Sequence, residues 1–153
     1  MQTIKIDALA SNDTNHETMR IVMADDDRNE HLLMALAAGD AKRTIQIDFV
    51  DDGAQLLDEL AHTKPHALPN AIILDLRMPR MDGTAALKEL QHTAALRHIP
   101  VVVFTTSARI EDERSCYELG AFHFETKPGT FSGLVQFFDR ISEIATTAFP
   151  AAA

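Results

Sequence analysis

A doubly wound α/β fold, one five-stranded parallel sheet with helices on both faces, is what this sequence predicts. Three observations carry it. A strand-then-helix unit occurs five times in succession, and strands separated by helices pair in parallel within one sheet. The segment "AIIL" at 71–74 is apolar without alternation, the pattern of a strand covered on both faces. The chain has 153 residues and 46% hydrophobic content, enough for one ordinary core and too little for a second domain.

Residues 1–18, "MQTIKIDALASNDTNHET", are polar after a short start and hold no sustained period, so a loose extension is expected there. "MRIVMA" (19–24) is an apolar run ending at Asp25, Asp26 and Asp27. "RNEHLLMALAAG" follows as a helix, with Asp27 as N-cap and Gly39 as its stop. "TIQIDFV" (44–50) is β-branched and aromatic, and "GAQLLDELAH" (53–62) has Leu56, Leu57 and Leu60 at helical spacing before Pro65 and Pro69 mark a loop. The third unit is "AIILD" (71–75) with "DGTAALKELQH" (82–92), the fourth "IPVVVFT" (99–105) with "RIEDERSCYELG" (109–120). The fifth is "AFHFET" (121–126) with "TFSGLVQFFDRISEIA" (130–145), so the globular unit spans 19–146 and a tail 147–153. In that last helix Phe131, Leu134, Phe138, Ile141 and Ala145 form the expected buried stripe. Phe137 and Ile144 are left on a flanking stripe, either wider core or a homodimer surface.

Charge narrows the partners. With 23 acidic residues against 14 basic ones and a formal charge of -9, attraction to nucleic acid or anionic lipid is disfavoured, and proteins or metal cations are favoured. Apolar runs such as "IPVVVF" are too short to cross a bilayer, and the start lacks the basic residues and long apolar stretch of a secretion signal. A cytoplasmic protein is expected. Cys116 is the single cysteine and has a packing role at most, and His62 and His66 are interrupted by Pro65 and so do not share a helical face for a metal.

A doubly wound sheet binds its ligand beyond the carboxyl ends of its strands. There the sequence places Asp25, Asp26 and Asp27, then Asp75, then Thr105, Thr106 and Ser107, then Lys127 and Pro128. Carboxylates gathered on one rim repel, by about 4 kcal/mol for a pair about 4 Å apart at an effective dielectric of about 20. Something positive must offset that. Oxygen ligands without His or Cys suit Mg²⁺ or Mn²⁺, and Mg²⁺ takes about six oxygens, several of them from water or phosphate. Asp27 fits better as a plain helix cap, whereas an acidic residue ending the neighbouring buried strand turns Asp25 and Asp26 toward metal binding. A carboxylate, a cation site, a hydroxyl and an ammonium together are the set needed to accept and hold a phosphoryl group.

The segments "RIVMADDDRNEHLL", "AIILDLRMPRMDG", "IPVVVFTTSA" and "GAFHFETKPG" resemble, in order and spacing from about 19 to 146, the receiver domain of two-component response regulators. Judged by "LRHIPVVVFTTSA" and "SCYELGAF", the likeness is nearest to the stand-alone receivers that accompany bacterial phytochromes and other sensor kinases. The resemblance implies a flavodoxin-like fold with strand order 2-1-3-4-5. It implies that Asp75 is the phosphoacceptor and that Asp25, Asp26, Asp75 and the backbone carbonyl of Arg77 hold Mg²⁺ (or Mn²⁺). Thr105 and Lys127 would contact the bound phosphoryl group, and the Lys127–Pro128 bond would be cis. Phe124, three residues before Lys127, stands where this family often has Tyr and is either a rotamer switch or a plain core residue. Arg77 and Ser107 occupy the two positions that tune hydrolysis of the acyl phosphate. The partner implied is a sensor histidine kinase or a histidine phosphotransfer protein, in a phosphorelay. The helix around "RIEDERSCYELG" is the element expected to shift between two states.

Rival readings are tested by the same residues. A haloacid-dehalogenase-type phosphatase needs a second Asp two residues after its nucleophile, where this chain has Arg77, so a phosphoryl acceptor is expected rather than a turnover enzyme. A non-phosphorylated docking module of the same fold predicts missing acidic ligands or a missing lysine, and the chain retains them all. No Gly-rich dinucleotide loop or P-loop is present. Only "TTAFPAAA" follows the last helix, so output is expected to go through protein contacts.

Overall fold

The computed structural model describes residues 2–4 and 17–148. In chain order the elements are β1 (Gln2–Ile4), β2 (Met19–Ala24), α1 (Arg28–Gly39), β3 (Ile45–Val50) and α2 (Gly53–His62). They continue with β4 (Ala71–Leu74), α3 (Gly83–His92), β5 (Val101–Thr105), α4 (Ile110–Glu118), β6 (His123–Thr126) and α5 (Phe131–Ala148), and a short 3₁₀ turn, Pro65–Ala67, lies between α2 and β4. Asp27, Asp52 and Asp82 start α1, α2 and α3, each accepting a hydrogen bond from a backbone N–H of the first turn.

The sheet runs β1-β3-β2-β4-β5-β6. Its five parallel strands, β2 to β6, therefore have the order 2-1-3-4-5 when counted among themselves, as the resemblance implied. β1 is an addition. It pairs antiparallel with β3, Gln2 opposite Phe49 and Ile4 opposite Ile47, inside a stretch expected to be a loose extension. Residues 1 and 5–16 of that extension, and the tail beyond 148, lie outside the described residues. α5 runs to Ala148, three residues past the expected 145.

Successive strand residues point to opposite faces, and both faces are covered. Ile21, Met23, Ile47, Ile73 and Phe104 pack under α1 and α5, whereas Val22, Ala24, Ile72, Leu74 and Val103 pack under α2 and α3. That double burial is why "AIIL" shows no polar alternation.

One expectation for α5 fails, the burial of Phe131, and the open choice for Phe137 closes on core. Phe131 is 42% exposed, and Phe137 is fully buried, stacked on Phe104 with ring centroids 4.0 Å apart. The buried set is Leu134, Phe137, Phe138, Ile141, Ser142 and Ala145, a continuous face at helical spacing, while Phe131 is the first residue of the helix and projects beyond the packed layer. Phe137 is thus wider core and offers no surface to a second copy; Ile144 beside it is half-buried. Among the described residues no helix is long and apolar enough to cross a membrane.

Candidate functional site

Four strand ends, of β2, β4, β5 and β6, build the site. β2 ends at Ala24 and hands on Asp25, whose N–H donates to the Val50 carbonyl (3.1 Å); β4 ends at Leu74 and hands on Asp75, whose N–H donates to the Ala24 carbonyl (3.0 Å). The sheet ladder thus holds both acidic residues one step past the last paired residue. Gly83 is needed for the return of the chain, since a Cβ there would lie 2.1 Å from the Asp75 carbonyl oxygen. Its own N–H closes the turn on the Leu76 carbonyl at 3.0 Å.

Carboxylate oxygens of Asp25, Asp26 and Asp75 all lie within 4.8 Å of one another. Asp25 is 1% exposed and Asp75 9%, while Asp26 is open to solvent. From β6, Lys127 reaches into this cluster, with Nζ 2.8 Å from Asp25 Oδ2, 3.4 Å from Asp75 Oδ2 and 3.5 Å from Glu30 Oε1. The same ammonium stands 5.8 Å from the centroid of the Phe104 ring. Burial pushes the Asp75 carboxyl above its ordinary pKa, and neighbouring Asp25 adds to that against the pull of Lys127. For Lys127 burial works against the charged form, but Asp25, Asp75 and Glu30 outweigh it and hold its pKa above the ordinary value.

One ammonium faces four carboxylates here, counting Glu30. The all-oxygen donor set and its surplus negative charge fit a hard divalent cation.

Thr105 ends β5, is 1% exposed, and its Oγ1 accepts from the N–H of Ser107 (3.3 Å). The Ser107 hydroxyl donates in turn to Asp112 Oδ2 in the first turn of α4 (2.5 Å). Arg77 is exposed, and its N–H donates to Asp75 Oδ1 at 3.3 Å. Phe124 is buried at 8% exposure, and its N–H donates to the hydroxyl of Tyr117 from α4 (3.1 Å). Tyr117→Phe removes that acceptor and is expected to destabilise the fold by about 1 kcal/mol in chemical denaturation.

The Lys127–Pro128 bond is trans, since no cis peptide occurs among the described residues, and this corrects the cis bond that the resemblance implied. The Lys127 N–H donates to the Thr105 carbonyl at 2.8 Å, which extends the β5–β6 ladder to the lysine, and the trans form keeps its intrinsic preference.

Sequence reasoning brought Asp25, Asp26, Asp75, Thr105 and Lys127 to one rim. It missed Glu30, whose carboxylate lies in the first turn of α1, and His31, which is buried against Phe49 with Nε2 2.6 Å from the Asp25 carbonyl oxygen. The four-residue offset from Asp26 to Glu30, spanning the helix start, was the available signal for the first. The Cys116 thiol is buried and its pKa is pushed up to about 11, first by burial and then by Asp112, which suits packing and not reactivity.

An α/β sheet of this order with an acidic rim and a reaching lysine defines a class, and sequence comparison names it. The family described as the response regulator receiver domain matches residues 21–139, and the chain belongs to that family. Among its relatives, the probable methanogenesis regulatory protein FilR2 of Methanothrix harundinacea is 32% identical over 126 residues, 80% of this chain and 81% of FilR2. Response regulator Rcp1 of Synechocystis sp. is 37% identical over 86 residues, 55% of this chain and 58% of Rcp1. The crystal structure of the phosphorylated cyanobacterial phytochrome response regulator RcpA matches with TM-score 0.76 and 27% identity, over 88% of this chain and all of RcpA. That of Mn²⁺-bound Rcp1 matches with TM-score 0.73 and 25% identity, over 88% of this chain and 99% of Rcp1.

Proposed function

We propose that this receiver takes a phosphoryl group onto Asp75 from a phosphohistidine of a sensor kinase or phosphotransfer protein and passes the signal on through protein contacts. The observation that carries the reading is the meeting of Asp25, Asp26 and Asp75 within 4.8 Å, with the Lys127 ammonium against two of them. The similar RcpA in phosphorylated form and Rcp1 with Mn²⁺ support it.

Asp25, Asp26, Asp75 and the Arg77 carbonyl would hold Mg²⁺ or Mn²⁺, which when bound neutralises charge on the phosphoryl oxygens. A free Asp75 oxygen attacks phosphorus; the O–P bond forms as the N–P bond to the donor imidazole breaks, and that nitrogen keeps the electron pair. Lys127 then pairs with the new charge of roughly -2, and Thr105 turns its hydroxyl from the Ser107 N–H toward it. Ser107 is bonded to Asp112, so this movement pulls on α4, a helix that buries only Cys116 and has no side-chain cap. Phe124 packs as core, its backbone held by α4 through Tyr117.

The donor must reach the rim beside α1. On that helix Leu32, Leu33 and Leu36 are 59%, 45% and 50% exposed, an apolar face suited to a helical protein partner. A cytoplasmic location accompanies this reading. Arg77 stands exposed next to the phosphoacceptor, where its bulk and charge hinder the attacking water. Arg77→Ala is expected to shorten the acyl-phosphate half-life several-fold, followed by loss of the phosphorylated mass with time.

The reading is tested by incubation with Mg²⁺ and acetyl phosphate, comparing intact masses of the wild type and Asp75→Asn. Gain of one phosphoryl group by the wild type alone is expected. No gain would favour a docking module, and turnover of many donor equivalents a phosphatase.

A further inference from the structure

Arg80 has a left-handed backbone, φ 61°, in a position that L side chains with a long stem rarely take. Its guanidinium grips a single partner, with Nε 2.6 Å from Asp52 Oδ2 and Nη2 on the same oxygen. Asp52 is 1% exposed and caps α2 through the Gln55 N–H at 2.9 Å. One residue on, the Gly53 N–H donates to the Met81 carbonyl (3.0 Å), and a Cβ at Gly53 would lie 2.8 Å from that oxygen. The segment 76–82 is thus sewn to the start of α2 at two adjacent points. At its other end the same segment carries Arg77, whose N–H touches the Asp75 carboxylate.

We infer that Arg80 is a positioning residue for the carboxylate site: through Asp52 it fixes segment 76–82, and so keeps the Arg77 carbonyl and the Asp75 carboxylate in register for a divalent cation. The inference rests on the metal set named in the proposed function. Burial raises the Asp52 pKa, but the Gln55 N–H and the Arg80 guanidinium outweigh it and hold the carboxyl below its ordinary range, so the pair is charged throughout the neutral range. For folding the two effects of Arg80→Gly oppose each other, since it loses the ion pair but relieves the left-handed backbone.

Mg²⁺ titrations of the wild type, Arg80→Gly, Arg80→Asn and Asp52→Asn by calorimetry, with melting curves of the metal-free proteins, separate the two roles. Asn tolerates the left-handed backbone, so Arg80→Asn decides the matter where Arg80→Gly fails to fold. Mg²⁺ affinity is expected to fall about tenfold in all three variants, with metal-free Tm values of the two Arg80 variants close to wild type. Unchanged affinity in a folded Arg80 variant overturns the inference, as does a loss of affinity that tracks a loss of Tm across the series. Wild type that binds Mg²⁺ in an Arg80-dependent way but takes up no phosphoryl group sinks the proposed function and leaves this inference standing.

Discussion

Asp75→Asn is expected to stabilise the metal-free protein at neutral pH while removing most of the stabilisation that Mg²⁺ confers. The Asp75 carboxyl has a raised pKa because burial and Asp25 disfavour its charge. The folded state therefore binds the proton more tightly than the unfolded chain, and ionised Asp75 weighs against folding. That penalty is complete above the folded pKa, fades as the pH falls through it, and is gone below the unfolded value. The Tm advantage of Asp75→Asn should follow the same course, present at pH 7 and gone in acid. Mg²⁺ at about 100 times its Kd adds about 2.7 kcal/mol to a protein that binds it only when folded. The variant has lost one anionic ligand, so its melting curve should move far less on adding Mg²⁺. Lys127 works in the opposite sense: its raised pKa gives stability that is full below the unfolded value and is lost as the pH rises through the folded one.

Phe137→Ala is expected to cost about 3–5 kcal/mol, the range for removing a buried aromatic side chain. Phe137 is fully buried, stacks on Phe104 at 4.0 Å and meets Phe138 edge-on at 5.6 Å. Chemical denaturation should show a lower midpoint with an unchanged slope. Were Phe137 instead part of a surface between copies, the monomer would keep its stability and only association would weaken. A loss of stability independent of protein concentration decides for the core.

The contrast between Phe131 and Phe137 shows where sequence reading stops. Both fit an apolar stripe of period 3.6, and the period fixes a face only up to about one residue's rotation. Which face meets the sheet depends on Phe104, a residue 33 positions before Phe137 in the chain. β4 was legible because a strand buried on both sides has a pattern that few other elements share. β1 was not, because three residues are too short for any period and their pairing with β3 crosses more than 40 positions. In the site, residues at strand ends could be found because the topology places them. Glu30 left only its four-residue offset from Asp26 as a signal, and the Asp52–Arg80 pair left none, since it arises from side chains 28 positions apart meeting in space. The cis Lys127–Pro128 bond came from family likeness alone, and no feature of the residues themselves called for it.

The assignment on which the rest depends is Asp75, set among carboxylates and beside Lys127, as the proposed nucleophile toward phosphorus. It is tested most directly by treating the protein with Mg²⁺ and acetyl phosphate, reducing the product with borohydride and sequencing its peptides by mass spectrometry. An aspartyl phosphate is reduced to homoserine, which is expected at position 75. Homoserine at another acidic residue, or none despite uptake of phosphorus, would contradict it.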